Sequence, residues 1–269
     1  AEGPEVSHES LLYFEISRHT NLEELHELRD TLVEILEEVE AVVSDFAAMR
    51  ERLAEARAAI EETQCVEADF RDEAVRFVDW LRKDHMTFLG YEYLVVDGDE
   101  VYVDESKSLG SLRSRTSRGA QELKQDIDAM GSAELQRRQL SFSKSAKRSR
   151  VHRLAYPDYV EIKVFDEAGR TVGQHRFLGL FTAAVYTMDP AAIPILRRKV
   201  ARVLELSGLT DREHDGREFK RVLELMPRDE LFQSSTKELY DTAAAVNRIQ
   251  ERRHTRLFVR RDPYGKFVS

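Results

Sequence analysis

The chain has 269 residues, 42% of them hydrophobic and 34% charged, with a formal net charge of −9. The length suggests about two domains, and the acidic balance disfavours general nucleic-acid binding. No apolar run approaches the roughly 18 residues of a membrane span, the N-terminus lacks a basic-then-apolar signal pattern, and the single cysteine, Cys65, excludes an internal disulfide framework, so a cytoplasmic location is expected.

Leu11 to Ser17 reads as a strand with nothing before it to pair with. Thr20 or Asn21 can cap a helix. From there apolar residues recur at Leu25, Leu28, Leu32, Ile35, Val39, Val42, Phe46, Met49, Leu53, Ala56 and Ile60. This three-and-four spacing is a heptad seam. It predicts a long amphipathic helix, or two with a break near Ser44-Asp45. Such a seam packs on a neighbouring domain or makes a coiled-coil contact between subunits. Asp69 is placed to cap the next helix, whose inner face carries Phe70, Ala74, Phe77, Val78 and Leu81.

The period then changes from helix to strand. Met86 to Val96 and Glu100 to Asp104 are strands about an Asp97-Gly98-Asp99 turn. A Ser/Gly/Arg-rich loop and a short helix near Glu122 to Met130 follow. Leu140 to Lys144, Val151 to Leu154, Tyr159 to Phe165 and Thr171 to Met188 read as further strands, with Glu167-Ala168-Gly169 turning the last pair. Successive strands joined by tight turns predict an antiparallel sheet and an α+β fold. Three helices come next. One starts near Pro194 and ends at Gly208; one is capped by Asp215 with Glu218; one is capped by Ser235 with Glu238. Arg256 to Arg261, the turn Asp262-Pro263-Tyr264-Gly265 and Lys266 to Val268 read as a final hairpin. It stops so soon that the sequence is expected to be an internal piece of a longer protein.

Three stretches carry a family resemblance. They are Phe77-Val78-Asp79-Trp80-Leu81-Arg82-Lys83-Asp84-His85-Met86-Thr87-Phe88-Leu89-Gly90-Tyr91, then Arg176-Phe177-Leu178-Gly179-Leu180-Phe181-Thr182, then Pro227 to Gln233 with Gln250-Glu251-Arg252 and the closing Leu257 to Val268. In this order the chain resembles the N-terminal regulatory region of the large bacterial NAD-specific glutamate dehydrogenases. The resemblance implies that residues 1–66 end one ACT-like domain and its long helices. Residues 67–190 would form a PAS-like domain, 191–255 a helical linker and 256–269 the start of a further ACT-like domain. It also implies that the catalytic lysine and the dinucleotide fold lie outside this sequence. No Gly-x-Gly-x-x-Gly follows a strand here, so no catalytic or cofactor-binding residue is assigned and NAD belongs to the parent enzyme.

The candidate chemistry is sparse. The eight histidines show no His-x-x-x-His pair, and there is no Cys-x-x-Cys, so no metal ligand is assigned. His85 at a helix-to-strand corner reads as a helix C-terminal hydrogen bond or a packed ring. His214-Asp215-Gly216 reads as a turn and cap. Cys65 has no histidine nearby in sequence to activate it. Asp229-Glu230 reads as a helix start or surface charge, since adjacency alone does not make an acid-base pair. Arg137, Arg138, Lys144, Lys147, Arg148, Arg150 and Arg153, with Phe142 among them, form a basic run with no acid between Glu134 and Asp158. That run is a solvated loop, a contact within an assembly, or an anion site. Phe88, Tyr91, Tyr93, Phe177, Phe181 and Tyr186 suit a sheet core, and such a sheet can enclose a small ligand.

The expectation is a non-catalytic regulatory and assembly segment of an NAD-dependent glutamate dehydrogenase. Its partners would be the rest of the parent chain, further copies of it in a homo-oligomer, and an amino-acid effector. The alternative is a PAS-like ligand-sensing module of a signalling protein. A nucleic-acid-binding role through residues 137–153 is the weaker third reading.

Overall fold

The computed structural model describes residues 11–113, 118–210, 212, 214–249 and 257, together with the backbone of two short strands at 260–261 and 267–268. The chain divides into two compact units, residues 1–37 and residues 38–269.

In the first unit the expected strand at Leu11 to Ser17 is absent: residues 11–21 form no regular element. Its apolar side chains are exposed, and an extended segment without a ladder partner has no sheet to join. Helix α1 spans Leu22–Ser44. The Asn21 side chain caps it, its Oδ1 accepting from the Glu23 N–H at 2.9 Å. Leu28, Leu32, Val33 and Leu36 stay exposed along this helix.

The predicted break falls at Asp45. Its buried carboxylate accepts from the Gly110 N–H at 2.7 Å and from Arg113 Nε at 2.6 Å. Helix α2 (Phe46–Glu62) then buries Met49, Leu53, Ala56 and Ile60 completely. This half of the heptad seam is therefore an intrachain core contact. Helix α3 (Ala68–Trp80) packs beside it and buries Glu73, Ala74, Phe77, Val78 and Trp80. Asp69 is not its cap. It lies within the first turn and Glu67 precedes the helix, so the negative charge serves the helix dipole instead. The exit turns through Lys83 and Asp84, which takes a left-handed conformation at φ 60°. Asp tolerates that region better than most residues.

The sheet is antiparallel, in the order β2-β1-β6-β5-β4. Its strands are β1 (Met86–Asp97), β2 (Glu100–Val103), β4 (Leu140–Lys144), β5 (Asp158–Phe165) and β6 (Thr171–Phe181). A two-residue strand, β3 (Leu109–Gly110), also pairs with β1. Gly110 needs to be glycine. Its φ is +58°, and a Cβ there would sit 2.4 Å from the Leu89 carbonyl oxygen. Helices α4 (Gly119–Ala129) and α5 (Ser132–Arg137) lie between β3 and β4 in sequence.

Two strand expectations are corrected. Val151 to Leu154 is a bent loop: the Ser145 and Ser149 hydroxyls accept from the Lys147 and Val151 N–H groups and fold the backbone locally. The strand from Thr171 ends at Phe181, and a short helix, α6 (Ala183–Thr187), takes the remainder.

Beyond α6 the described residues form four α-helices where three were expected: α7 (Leu196–Ser207), α8 (His214–Leu225), α9 (Arg228–Gln233) and α10 (Thr236–Asn247). Pro194 does not begin α7. Ile195 intervenes with φ 70°, its N–H donating to the buried Glu73 carboxylate at 2.8 Å while Arg197 Nε donates at 2.7 Å. Burial alone would push Glu73 up, but the Arg197 guanidinium and the Ile195 N–H hold it below the usual carboxylate range. One side chain thus fixes where α7 starts against α3. Gly208 ends α7 at φ +64°, as its position predicts. Asp215 lies inside the first turn of α8 and is not its cap, and Gly216 is pressed against the Thr210 backbone. Ser235 and Glu238 form the expected capping box on α10. Strands β7 (Arg260–Arg261) and β8 (Phe267–Val268) pair antiparallel; the Asp262-Pro263-Tyr264-Gly265 turn and the rest of the expected hairpin other than Leu257 lie outside the described residues.

The core of the larger unit is continuous from α2 and α3 through the sheet to α7–α10. Phe232 of α9 links these layers: its ring stacks on Phe181 at 4.9 Å and meets Phe142 at 4.8 Å and Phe77 at 5.7 Å.

Candidate functional site: a cavity at the sheet edge

A cavity of about 780 Å³ opens where strand β4, the edge of the sheet, faces α3, α7 and the α9–α10 turn. Its volume lies in the range of small-ligand sites. Phe70 and Ala74 of α3, Leu140 and Phe142 of β4 and Phe232 of α9 give it an apolar wall. The opposite wall is polar, with Asp126, Ser141 and Glu161. Arg137 and Arg138 at the end of α5, and Arg198 and Arg202 on α7, supply cationic side chains to the lining. Arg198 lies over the Phe70 ring at 4.5 Å, and Arg202 pairs with Glu205 at 2.8 Å. Arg137 is exposed and has no hydrogen-bond or ion-pair partner among the described residues.

Behind the polar wall lies a buried ionic network. Glu92, Arg176 and Glu161 stand directly opposite one another on β1, β6 and β5. Arg176 donates to Glu161 at 3.0 Å, Glu92 at 2.9 Å and Glu122 at 2.5 Å, and its guanidinium lies 3.5 Å from the centre of the Tyr159 ring. Burial disfavours its charge, but these acids and Tyr159 push its pKa far up, so it stays cationic. Burial also works against the Glu161 carboxylate; Arg176 and Lys163 outweigh it and hold the group below its ordinary range. Lys163 Nζ donates to Ser141 Oγ at 3.2 Å and lies 3.5 Å from Asp126, with its own pKa lowered by burial. The sequence reading missed this network. Its signal was the charged residues inside three strands, Glu92 in β1, Glu161 and Lys163 in β5 and Arg176 in β6.

A second cluster joins the sheet to α9. Lys144 Nζ lies 2.9 Å from Asp158 and 2.6 Å from Asp229, while Gln233 donates to Asp158 at 3.1 Å. Tyr186 donates to Asp229 at 3.3 Å. Burial, then the Asp229 charge, pushes Asp158 up to about 7. Burial also pushes the Tyr186 hydroxyl up to about 12. The sequence placed Asp229 beside Glu230 at a helix start, which is where it stands, in the first turn of α9. Its carboxylate partner in space is Asp158, which no sequence spacing indicated.

The other sequence candidates have local roles. His85 bonds through Nδ1 to the Trp80 carbonyl at 2.7 Å and stacks on the Trp80 ring at 4.3 Å. Cys65 is half-buried between α2 and α3, and burial pushes its thiol up. Much of the basic run is engaged within the chain. Lys144 holds the two aspartates, Arg150 lies 3.6 Å from Glu38, Arg153 donates to the Phe181 carbonyl at 3.0 Å, and Arg148 covers the Tyr156 ring at 5.1 Å. The sheet aromatics Phe88, Tyr91, Phe177 and Phe181 are core residues. Among the described residues no group of three or more His, Cys, Asp or Glu side chains is arranged to hold a metal ion, and no helix is long and apolar enough to cross a membrane.

The architecture is that of an α+β segment: an antiparallel sheet flanked by helices, with buried ion networks and an open edge. Residues 193–252, the region of α7 to α10, match the family model described as "Glutamate dehydrogenase, helical motif 1". The whole chain is similar to part of the NAD-specific glutamate dehydrogenases of Halomonas elongata (42% identity over 100% of this chain) and Pseudomonas aeruginosa (42% over 99%). It is also similar to that of Mycobacterium tuberculosis (28% over 97%). It spans only 17%, 17% and 15% of those proteins. The resemblance carried by the three sequence stretches thus extends from end to end, and the chain is similar to one segment of the large NAD-specific glutamate dehydrogenases. Among solved structures, the periplasmic sensory domain of the Campylobacter jejuni chemoreceptor Tlp1 aligns at a TM-score of 0.25 and 14% identity, over 59% of this chain and 61% of that one. That likeness is too slight to bear on the fold.

Proposed function

We propose that this chain is a non-catalytic regulatory and assembly segment of an NAD-dependent glutamate dehydrogenase. The parent would convert L-glutamate and NAD to 2-oxoglutarate, ammonium and NADH in the cytoplasm. The observation that carries this reading is 42% identity over the full chain to relatives of which it spans only 17%. Such similarity preserves a specific packed unit, while most of each relative lies outside it. Residues 1–66 would end an ACT-like domain, 67–190 would be a PAS-like domain, 191–255 a helical linker and 256–269 the start of a further ACT-like domain. The helical-motif match at residues 193–252 supports the third of these boundaries. The parent would be a homo-oligomer, with the exposed apolar residues of α1 available for subunit contacts. An amino-acid effector would regulate it by binding one state of the assembly more tightly than another.

Two measurements test the reading. The 269-residue chain, given glutamate and NAD, should form no NADH; robust turnover would falsify it. Deleting the segment from the parent enzyme should alter assembly or effector response; unchanged behaviour in both would remove the regulatory role.

A further inference from the structure

We propose that the outer edge of β4 is a docking site for an extended acidic peptide segment, which joins the sheet as an added strand inside the cavity. The parity of the ladder sets which main-chain groups are available. The Lys163 N–H donates to the Gln139 carbonyl at 2.8 Å and the Ser145 N–H to the Pro157 carbonyl at 2.9 Å. Between them Ser141 and Ser143 stand opposite Glu161 and Tyr159. In an antiparallel pair the hydrogen-bonded positions alternate, so residues 139, 141, 143 and 145 turn their main chain toward β5. Leu140 and Phe142 therefore turn theirs outward, and among the described residues these N–H and C=O groups have no hydrogen-bond partner.

The open edge is short and bounded. The strand ends at Lys144, whose side chain pairs with Asp229 of α9 at 2.6 Å. From Leu140 to Phe142 it spans about 7 Å, and both residues line the cavity. Exposed edges are ordinarily covered or blunted. This one borders empty space large enough for a ligand. A free amino acid is one residue long and satisfies at most part of the edge. A peptide of three or more residues reaches the groups of both Leu140 and Phe142.

The walls specify the side chains. An added strand alternates its side chains between two faces. One face meets Phe70, Phe142 and Phe232, which suit apolar residues. Charge complementarity selects the others. Each acid of the lining is already engaged, Glu73 by Arg197, Asp126 by Lys163, Glu161 by Arg176, Glu205 by Arg202 and Glu238 in the capping box with Ser235, whereas Arg137 has no partner among the described residues. An acidic peptide is thus preferred over a basic one. The site does not depend on the parent's enzymatic activity.

The test uses the ¹⁵N-labelled 269-residue protein and a fluorescent peptide, acetyl-Val-Glu-Val-Glu-Val-amide. Two further versions are N-methylated, one on the valine amides and one on the glutamate amides. In the free protein the Leu140 and Phe142 amides should exchange faster than those of Ser141 and Ser143. Adding the peptide should slow them. One methylated version should bind at least about tenfold more weakly, and the other should bind like the parent peptide. Leu140→Pro removes an outward N–H without touching the ladder and should abolish binding with little change in Tm. Should that variant misfold, Arg137→Glu provides a second route and should weaken binding. Absence of saturable binding, equal binding of all three peptides, or displacement of the probe by free L-glutamate at equal concentration would each overturn the proposal.

Discussion

Replacing Arg176 with methionine removes the cation from a fully buried site while keeping most of the side-chain volume. Arg176 donates to three carboxylates, those of Glu92, Glu122 and Glu161, and is 1% exposed. Breaking one partner out of a buried ionic cluster costs about 3–5 kcal/mol, because the charges left behind are neither solvated nor paired as before. That is a large part of the roughly 5–15 kcal/mol that holds a typical domain together. The pH dependence distinguishes this cause from simple loss of packing. In the native protein Glu161 lies below its ordinary range, so its contribution is present above the unfolded value and is lost as pH falls through the folded value. With the arginine gone, burial raises Glu161 instead. The variant should then gain stability as pH falls from about 7 toward about 5, and its deficit should narrow. Urea unfolding followed by Trp80 fluorescence at several pH values reads both effects, since the chain has one tryptophan. A loss below about 1 kcal/mol, or a deficit that stays constant with pH, would refute the electrostatic account.

Asp158 is raised to about 7 by burial and by Asp229, so the folded state keeps its proton to a higher pH than the unfolded chain does. Its effect is to lower stability as pH rises from about 4 to about 7, by at most about 1.4 kcal/mol per pH unit; Asp158→Asn should flatten that slope in urea titrations. Ser235→Ala removes the acceptor for the Glu238 N–H and should cost about 0.5–2 kcal/mol, measured as a shift in urea midpoint at constant m-value. Gly110→Ala combines a left-handed φ with a 2.4 Å approach to the Leu89 oxygen and should cost more than about 1–2 kcal/mol by the same assay. Leu53→Ala, at a fully buried position of α2, should cost about 2–5 kcal/mol, whereas Leu36→Ala on the exposed face of α1 should change the monomer's stability by about 0.5 kcal/mol or less.

Local signals in the sequence determined much of this protein. Runs of aromatic and β-branched residues bounded by turn residues located β1, β2, β4 and β5 to within a residue or so, because such side chains suit strands and Gly98 and Gly169 mark turns at positive φ. Capping chemistry located the start of α10, because the Ser235–Glu238 exchange lies within four residues. The tertiary structure decided everything that depends on pairing across distance. Period alone assigned Leu11 to Ser17 and Val151 to Leu154 as strands, but among the described residues no strand pairs with either. The heptad pattern ran unbroken through α1 and α2, yet only packing buried Met49 to Ile60. The Arg176 network, the Asp158–Asp229 pair and the open edge of β4 each bring together residues far apart in the chain. Their chemistry arises from register and burial, which no single stretch of sequence encodes.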